Sequence, residues 1–203
     1  NESGRWDVIV DSTIQGEAMI AGVGYETLEA AIEDAEPDAE IVLLEDITRS
    51  VIVTLNKAAI LNGNNKTLTS TAGRAINVEV EGNATIKNLI INVSGERGIN
   101  VIQKPVNLTI DNVVVTANNY AVNLATSASS GENGPTIQIN NSDLTGLNTI
   151  NIAAPYTTMY IDGIKLTCND QNENESYSAI AINADGPHSY VYVKNYELFI
   201  NDD

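Results

Sequence analysis

A four-residue pattern recurs five times along the chain and constrains its fold more than any other feature of the sequence. The pattern is a small residue, an aliphatic residue, an asparagine and a second aliphatic residue, with alanine in place of asparagine in the last copy. The copies occupy 75–78, 98–101, 121–124, 149–152 and 179–182, so they start 23, 23, 28 and 30 residues apart. Repeats of this length predict stacked supersecondary units, each of which buries its apolar face only against a neighbour.

A second repeated segment alternates apolar and polar residues and ends in asparagine or glycine. Its copies occupy 59–63, 84–88, 108–112, 137–141, 159–163 and 191–195. The alternation predicts half-buried strands. After the asparagine or glycine the alternation slips by one residue, and these residue types tolerate left-handed backbone, so a sharp bend is predicted there. We expect the amides of Asn88, Asn112, Asn141 and Asn195 to stack on the inner side of the bend and bond from repeat to repeat.

The N-terminal part, residues 1–40, is predicted to hold short strands at 6–10 and 18–21 and the only helix, 27–35. The helix has one apolar face, formed by Leu28, Ala31, Ile32 and Ala35, and Pro37 prevents its continuation. We expect it to cover the open end of the stacked strands. Residues 41–203 are predicted to be strand and turn and to form one continuous domain with this cap. Two longer loops are expected at 126–135 and 169–178.

Three strands per repeat, a recurring bend and a shortest repeat of about 22 residues predict an all-β fold, a right-handed parallel β-helix of about six rungs with an N-terminal capping helix. From about Ala18 to the end, the chain resembles the pectin-lyase-like β-helix superfamily. Segments 24–32 and 41–48 resemble the capping helix and first rung of secreted or surface proteins from gut bacteria. The resemblance implies little about activity, because this fold hosts lyases, hydrolases, adhesins and spacers.

Charge and composition exclude several classes of partner. Ten basic and 27 acidic residues give a net charge of -17, which disfavours binding to nucleic acid, to an anionic membrane surface or, without a metal ion, to an acidic polysaccharide. Membrane insertion is not expected, because no apolar run approaches the length of a span. The single cysteine, Cys168, excludes an intrachain disulfide and is predicted to be a core residue.

The resemblance implies that any catalysis would occur on the outer face of the first strand of each rung. Lyases of the superfamily use acidic residues there to hold Ca²⁺ and an arginine or lysine as base, and its hydrolases use clustered aspartates. The corresponding positions here are Asn77, Asn100, Asn123, Asn151 and Ala181. Asparagine cannot act as acid, base or nucleophile at neutral pH. The preceding column (75, 98, 121, 149 and 179) is predicted to be outward and inert, so we expect no catalytic residue, cofactor or metal ion. Arg74 and Arg97 are predicted to pair with acids such as Glu96 rather than with a substrate carboxylate.

Two sets of residues are candidates for binding. The first is the asparagine column Asn77, Asn100, Asn123 and Asn151, a strip of donors and acceptors whose favoured alternative role is to keep the rungs in register. The second is Tyr160 and Tyr192, predicted to share an outward column on adjacent rungs. Outward tyrosines stack on sugar rings, although they also pack against each other on β surfaces.

The sequence therefore predicts a non-catalytic extracellular or cell-surface module that contacts a glycan or another surface protein. A start at Asn-Glu-Ser-Gly without methionine favours an exported chain. A polysaccharide lyase or glycoside hydrolase, and a structural spacer, are the alternatives. The last rung places Tyr196, Leu198 and Ile200 on the core side with nothing to cover them. We expect the 169–178 loop, a continuation of the chain or self-association of two copies to cover this rung.

Overall fold

The fold is mostly β, with parallel strands in two sheets. The computed structural model describes residues 15–170 and 178–202. In these ranges there is one α-helix, α1 (Leu28–Asp34), and a short 3-10 turn at Thr126–Ala128. Sheet A contains β1 (Ala18–Ile20), β2 (Val23–Tyr25), β3 (Glu40–Leu43), β4 (Ile47–Arg49), β6 (Ile60–Ser70), β8 (Gly82–Val93), β10 (Val106–Thr116), β12 (Thr136–Asn140), β13 (Asp143–Gly146), β15 (Thr158–Asp170) and β17 (Tyr190–Asp202). Sheet B contains β5 (Val53–Leu55), β7 (Arg74–Val78), β9 (Arg97–Val101), β11 (Tyr120–Leu124), β14 (Ile150–Ile152) and β16 (Ile180–Ile182).

The five copies of the four-residue repeat form five of the six strands of sheet B, all except β5. Consecutive copies pair in parallel and in register, so that Asn100 lies opposite Asn77 on one side and Asn123 on the other. Between two sheet B strands, the chain contributes to sheet A either one long strand or two short ones. Among the described strands, antiparallel pairing is confined to β1, which pairs with β2 and β3; one isolated antiparallel bridge joins Ser130 and Asn133. The predicted repeat boundaries are confirmed.

The long strands of sheet A bend where the sequence alternation slips. The residues at the bends have left-handed backbone: φ is 50° at Asn88, 53° at Asn112, 49° at Asn141, 66° at Gly163 and 50° at Asn195. The bend is therefore confirmed, but the expectation that the amides lie inside it is wrong. Asn88 is half-buried, and the other three asparagine side chains are exposed. At Asn88, the residues on the core side of the bend are Ile86 and Leu89, both almost fully buried, and they fill the inside of this bend.

The core is one cluster of aliphatic side chains from both sheets and the helix. Ile, Leu, Val and Ala fill it, and each fully buried large side chain contributes roughly 1.5–3 kcal/mol. Cys168, 3% exposed, lies among them as predicted. The sheets are therefore held together mainly by burial of aliphatic surface.

The helix begins and ends close to the predicted positions and packs against β1, β2, β3 and β5. Thr27 caps its N-terminus, because its hydroxyl accepts a hydrogen bond from the Ala30 N–H at 3.2 Å. Arg49 of β4 binds Glu29 of the helix, with Nε 2.8 Å from Oε1, and also binds Glu17. The hydrogen bond from Arg49 holds the pKa of Glu29 below its usual range. The predicted 6–10 strand lies outside the described residues, and β1 pairs instead with β2 in a short hairpin.

Candidate functional site

The asparagine column of sheet B is buried. The exposed fractions of Asn77, Asn100, Asn123 and Asn151 are 8%, 0%, 3% and 5%. The expectation of an exposed strip of amides is therefore wrong. In the sequence, the alternation with buried aliphatics places these amides away from the core, but neighbouring side chains cover that side as well.

The buried amides bond to one another from repeat to repeat. Nδ2 of Asn100 donates to Oδ1 of Asn77 at 2.9 Å, and Nδ2 of Asn123 donates to Oδ1 of Asn100 at 2.7 Å. Asn151 continues the series to Asn123 at 2.7 Å. Asn183 donates to Asn151 at 2.6 Å and replaces the missing amide at Ala181. Sequence reasoning missed Asn183, although it lies two residues after Ala181 and so has the same strand parity. We call this series the strand ladder (Asn77, Asn100, Asn123, Asn151 and Asn183), and its bonds match the favoured interpretation, rungs held in register.

The small residues that precede the strand ladder are also buried, contrary to prediction. Ala75, Ala121 and Thr149 are fully buried, and Gly98 is buried too. A Cβ placed on Gly98 would collide with the side chain of Val115, a core residue. Ala75 and Ala121 therefore belong to the core cluster instead of facing solvent. Only a small side chain fits there.

Arg97, beside this column, contacts residues of its own chain. Arg74 and Arg97 lie opposite each other in the β7–β9 ladder. The Arg97 guanidinium lies 5.7 Å from the centroid of the Tyr120 ring, and its Nη1 donates to Oδ1 of Asn100 at 3.4 Å. The predicted acid partner, Glu96, has its carboxylate 3.9 Å from Nε of Arg97. Arg97 therefore covers the strand ladder rather than presenting a charge to a ligand.

The tyrosine pair is exposed and stacked, and both residues lie in one column as predicted. Tyr160 of β15 lies opposite Tyr192 of β17. Their ring centroids are 5.2 Å apart with an interplanar angle of 11°. Near-parallel rings at this separation are offset, so part of each ring face stays uncovered. The exposed fractions are 47% for Tyr160 and 55% for Tyr192, which makes this pair the most accessible aromatic surface on adjacent strands of the described fold.

The pair lies in a groove of about 450 Å³ that crosses three neighbouring strands, β12, β15 and β17. The residues that line it are Gln138, Asn140, Tyr160, Ile161, Asp162, Tyr192, Val193 and Lys194. Sequence reasoning missed the four polar members. All four occupy the same alternating positions as the tyrosines, and this parity was the signal that could have identified them.

The charges in the groove balance each other. Asp162 Oδ2 lies 3.0 Å from Nζ of Lys194, and Oδ1 accepts a hydrogen bond of 2.8 Å from Nδ2 of Asn195. These contacts, the Asn195 bond first and the Lys194 ammonium second, hold the pKa of Asp162 below its usual range. The site therefore combines aromatic surface, amides and one ion pair without excess charge, although the whole chain carries -17. Such a lining suits a neutral polar ligand with apolar faces.

The single histidine of the chain does not line this groove. His188 lies in an exposed turn and stacks on Tyr156 with ring centroids 5.0 Å apart. Within residues 15–170 and 178–202, no three His, Cys, Asp or Glu side chains are grouped to hold a metal ion. No helix in the part that the structure describes is long and apolar enough to span a membrane. Comparison of the chain with protein-family models, with curated proteins and with solved structures finds no match.

Proposed function

We propose that this chain is a non-catalytic glycan-contacting module of an exported or cell-surface protein. The observation that carries the proposal is the exposed, offset stack of Tyr160 and Tyr192 at the centre of the groove. We further propose that the strands wind as a right-handed parallel β-helix of the pectin-lyase-like type. The in-register parallel ladders of both sheets and the recurring bend support this winding.

A sugar ring suits the groove because its two kinds of surface match the two kinds of lining. The C–H face of a pyranose packs against the uncovered faces of Tyr160 and Tyr192. Its hydroxyl groups reach the Asp162 carboxylate and the Lys194 ammonium, both of which bond readily to hydroxyls. The groove is open and crosses three strands, so it accommodates a stretch of an extended chain rather than a single small molecule.

The ligand is expected to be a neutral glycan. The net charge of -17 repels polyanions at long range, and the single lysine of the groove is already paired with Asp162. Uronic-acid polymers should therefore bind more weakly than neutral polymers of the same length.

A glycan array probed with the full chain, followed by calorimetric titration of the strongest neutral oligosaccharide, tests the proposal. Tyr160→Ala and Tyr192→Ala should each weaken binding at least tenfold. Tyr190→Ala is the matched control, because Tyr190 lies on β17 like Tyr192 and is 60% exposed but does not line the groove. The affinity of Tyr190→Ala for the oligosaccharide should stay within about twofold of that of the parent chain. Absence of binding to every glycan on the array would contradict the proposal and favour the spacer alternative, and equal affinity of all three variants would show that the groove is not the site.

A further inference from the structure

The last strand of sheet A leaves core positions uncovered. Among the described strands, β17 pairs only with β15. Val193, Leu198 and Ile200 lie opposite core residues of β15, yet they are 38%, 48% and 65% exposed. Their partners in β15 (Ile161, Leu166 and Cys168) are at most 3% exposed. The edge of β17 therefore presents an apolar surface that the preceding repeats bury.

The same residues also direct backbone groups to an edge of β17 with which no other described strand pairs. The Tyr190 N–H donates to the Thr157 carbonyl at 2.8 Å, so Tyr190 directs its backbone groups toward β15. In a parallel ladder this direction alternates along the strand, so Val191 and Val193 direct their N–H and C=O groups to the open edge. Beyond the bend, the Lys165 N–H donates away from β17, to Ser142 at 2.9 Å. The alternation of a parallel ladder then leaves Leu198 and Ile200 with their backbone groups at the edge.

The sequence of β17 is complementary to itself about the bend. Residues at equal distances from the point between Asn195 and Tyr196 match in character. Moving outward, the matched positions are Lys194 with Glu197, Val193 with Leu198, Tyr192 with Phe199, and Val191 with Ile200. They form one pair of opposite charges, two aliphatic pairs and one aromatic pair.

We propose that two copies of this chain associate through β17, with the two strands antiparallel about a two-fold axis at the Asn195 bend. The axis exchanges the two arms of the bent strand, so Val193 lies opposite the partner's Leu198. The alternation slips at Asn195. In this register, the core-facing residues of one copy therefore lie opposite core-facing residues of the partner, and the backbone groups at the two open edges face each other. A shift of one residue would oppose core-facing with solvent-facing side chains.

The charges on the outer side support the same register. Lys194 lies 3.0 Å from Asp162 of its own chain and, in the pairing, faces the partner's Glu197. Glu197 is itself opposite Lys165 in the β15–β17 ladder. The column across the junction therefore alternates in sign: Asp162, Lys194, the partner's Glu197, the partner's Lys165. The negative charge on the rest of each copy opposes association, so added salt should strengthen the dimer.

The association also completes the aromatic column. The partner's Phe199 lies over the face of Tyr192 that is turned away from Tyr160. Aromatic pairs across antiparallel strands are among the stabilising contacts of sheets. The dimer thus covers part of Tyr192, and a glycan in the groove should compete with association at this face.

Sedimentation equilibrium of the full chain, from micromolar to several hundred micromolar, tests the proposal with two charge variants. The parent should form dimers. Lys194→Glu alone and Glu197→Lys alone should each weaken association at least tenfold, because each variant places like charges opposite each other at both ends of the bend. Mixing the two variants in equal amounts should restore dimers, since the mixed pair has an opposite charge at every 194–197 contact. Lys104→Glu, the same charge change in an exposed loop, should associate like the parent.

If the single variants failed to associate because they were misfolded, mixing would not restore dimers, because each chain keeps its substitution in the mixture. Restored dimers would therefore show that charge pairing at the junction controls association. A parent chain that stays monomeric throughout would overturn the proposal and assign the edge to another protein or to a continuation of the chain. Variants that associate as well as the parent, or a mixture that stays monomeric, would also overturn it.

Discussion

The asparagines of sheet B and the asparagines at the bends of sheet A both bond to the preceding repeat, but they differ in burial and in backbone conformation. Members of the strand ladder in β7, β9, β11 and β14 are at most 8% exposed and bond amide to amide. The bend asparagines have φ near 50° and accept or donate at the surface. Their acceptors vary: Asn62, Asn88, Asp111 and Asp162.

This difference shows that one residue type repeated in one chain meets two separate requirements. In sheet B the fold uses the asparagine side chain, because a buried amide must both donate to one neighbouring repeat and accept from the other. At the bend the fold uses the asparagine backbone, because a residue with left-handed φ must join the two halves of the bent strand. Gly163 occupies one bend without any side chain, with φ of 66°. The bend therefore accommodates a residue without an amide, whereas at Ala181, where the column of the strand ladder lacks one, Asn183 supplies it.

Replacing an amide of the strand ladder with a carboxylate should have the largest effect. Asn123→Asp removes the donor to Oδ1 of Asn100 and buries a charge, so we expect a loss of about 3–5 kcal/mol of unfolding free energy at pH 7. Burial raises the pKa of the new carboxyl above its unfolded value of about 3.9. The penalty should therefore be full at neutral pH and shrink as the pH falls toward about 4, where the protonated acid donates again. Urea denaturation at pH 7 and pH 4.5 measures this change. Asn112→Asp, at an exposed bend, is the control and should change stability by less than about 1 kcal/mol; an equal loss in both variants would contradict the assignment of burial.

Substitutions at the bend should follow backbone preference rather than side-chain polarity. Asn112→Val places a β-branched residue at φ 53° and should cost about 1–3 kcal/mol, as strained left-handed positions do. Asn112→Gly keeps the conformation and loses only an exposed amide bond, so it should stay within about 0.5 kcal/mol of the parent. Thermal unfolding of the two variants separates the effects. A glycine variant as unstable as the valine variant would show that the Asn112 amide itself is required.

The smallest effect concerns titration, because two bend asparagines, Asn141 and Asn195, donate to carboxylates, whereas the bonds of the strand ladder join amides. The pKa of Asp162 is lowered by the Asn195 amide and by Lys194. A lowered pKa means that this contact stabilises the fold above the unfolded pKa and is lost as the pH falls through the folded value. The pKa of Asp162, followed by NMR, should rise toward its ordinary value in Asn195→Ala. The strand ladder contains no titratable group and should show no such dependence. An unchanged pKa of Asp162 in Asn195→Ala would show that the Asn195 amide does not lower it.

Local sequence pattern was sufficient for the repeats, the bends and the helix, because each depends on neighbouring residues. The slip after Asn112 identified the bend. The apolar face of Leu28, Ala31, Ile32 and Ala35, followed by Pro37, identified the helix. The same alternation placed Tyr160 and Tyr192 in one column, and the β15–β17 register confirms it.

Burial on the side of a strand away from the core could not be predicted, because it depends on packing between distant segments. Asn100 alternates with Ile99 and Val101 and therefore looks exposed in sequence, but Arg97 and its surroundings bury it completely. The amides of the bends were misplaced for the opposite reason: the space inside was already filled by residues such as Leu89. The alignment of segments 137–141, 159–163 and 191–195 places the polar lining in the outward column, but the sequence does not specify that the three strands form a groove there.

The central claim is that the fold needs the side-chain amides of the strand ladder but needs only the left-handed backbone of the bend asparagines. Urea denaturation of two matched variants, Asn100→Ala and Asn112→Gly, tests this claim most directly. Asn100→Ala leaves the Oδ1 of Asn77 and the Nδ2 of Asn123 buried and unpaired, and should lower the unfolding free energy by about 2–4 kcal/mol. Asn112→Gly also breaks its amide bond to the preceding repeat, Asn88, of 2.8 Å, and should change the unfolding free energy by no more than about 0.5 kcal/mol. Equal losses in the two variants, or a larger loss in Asn112→Gly, would contradict the account.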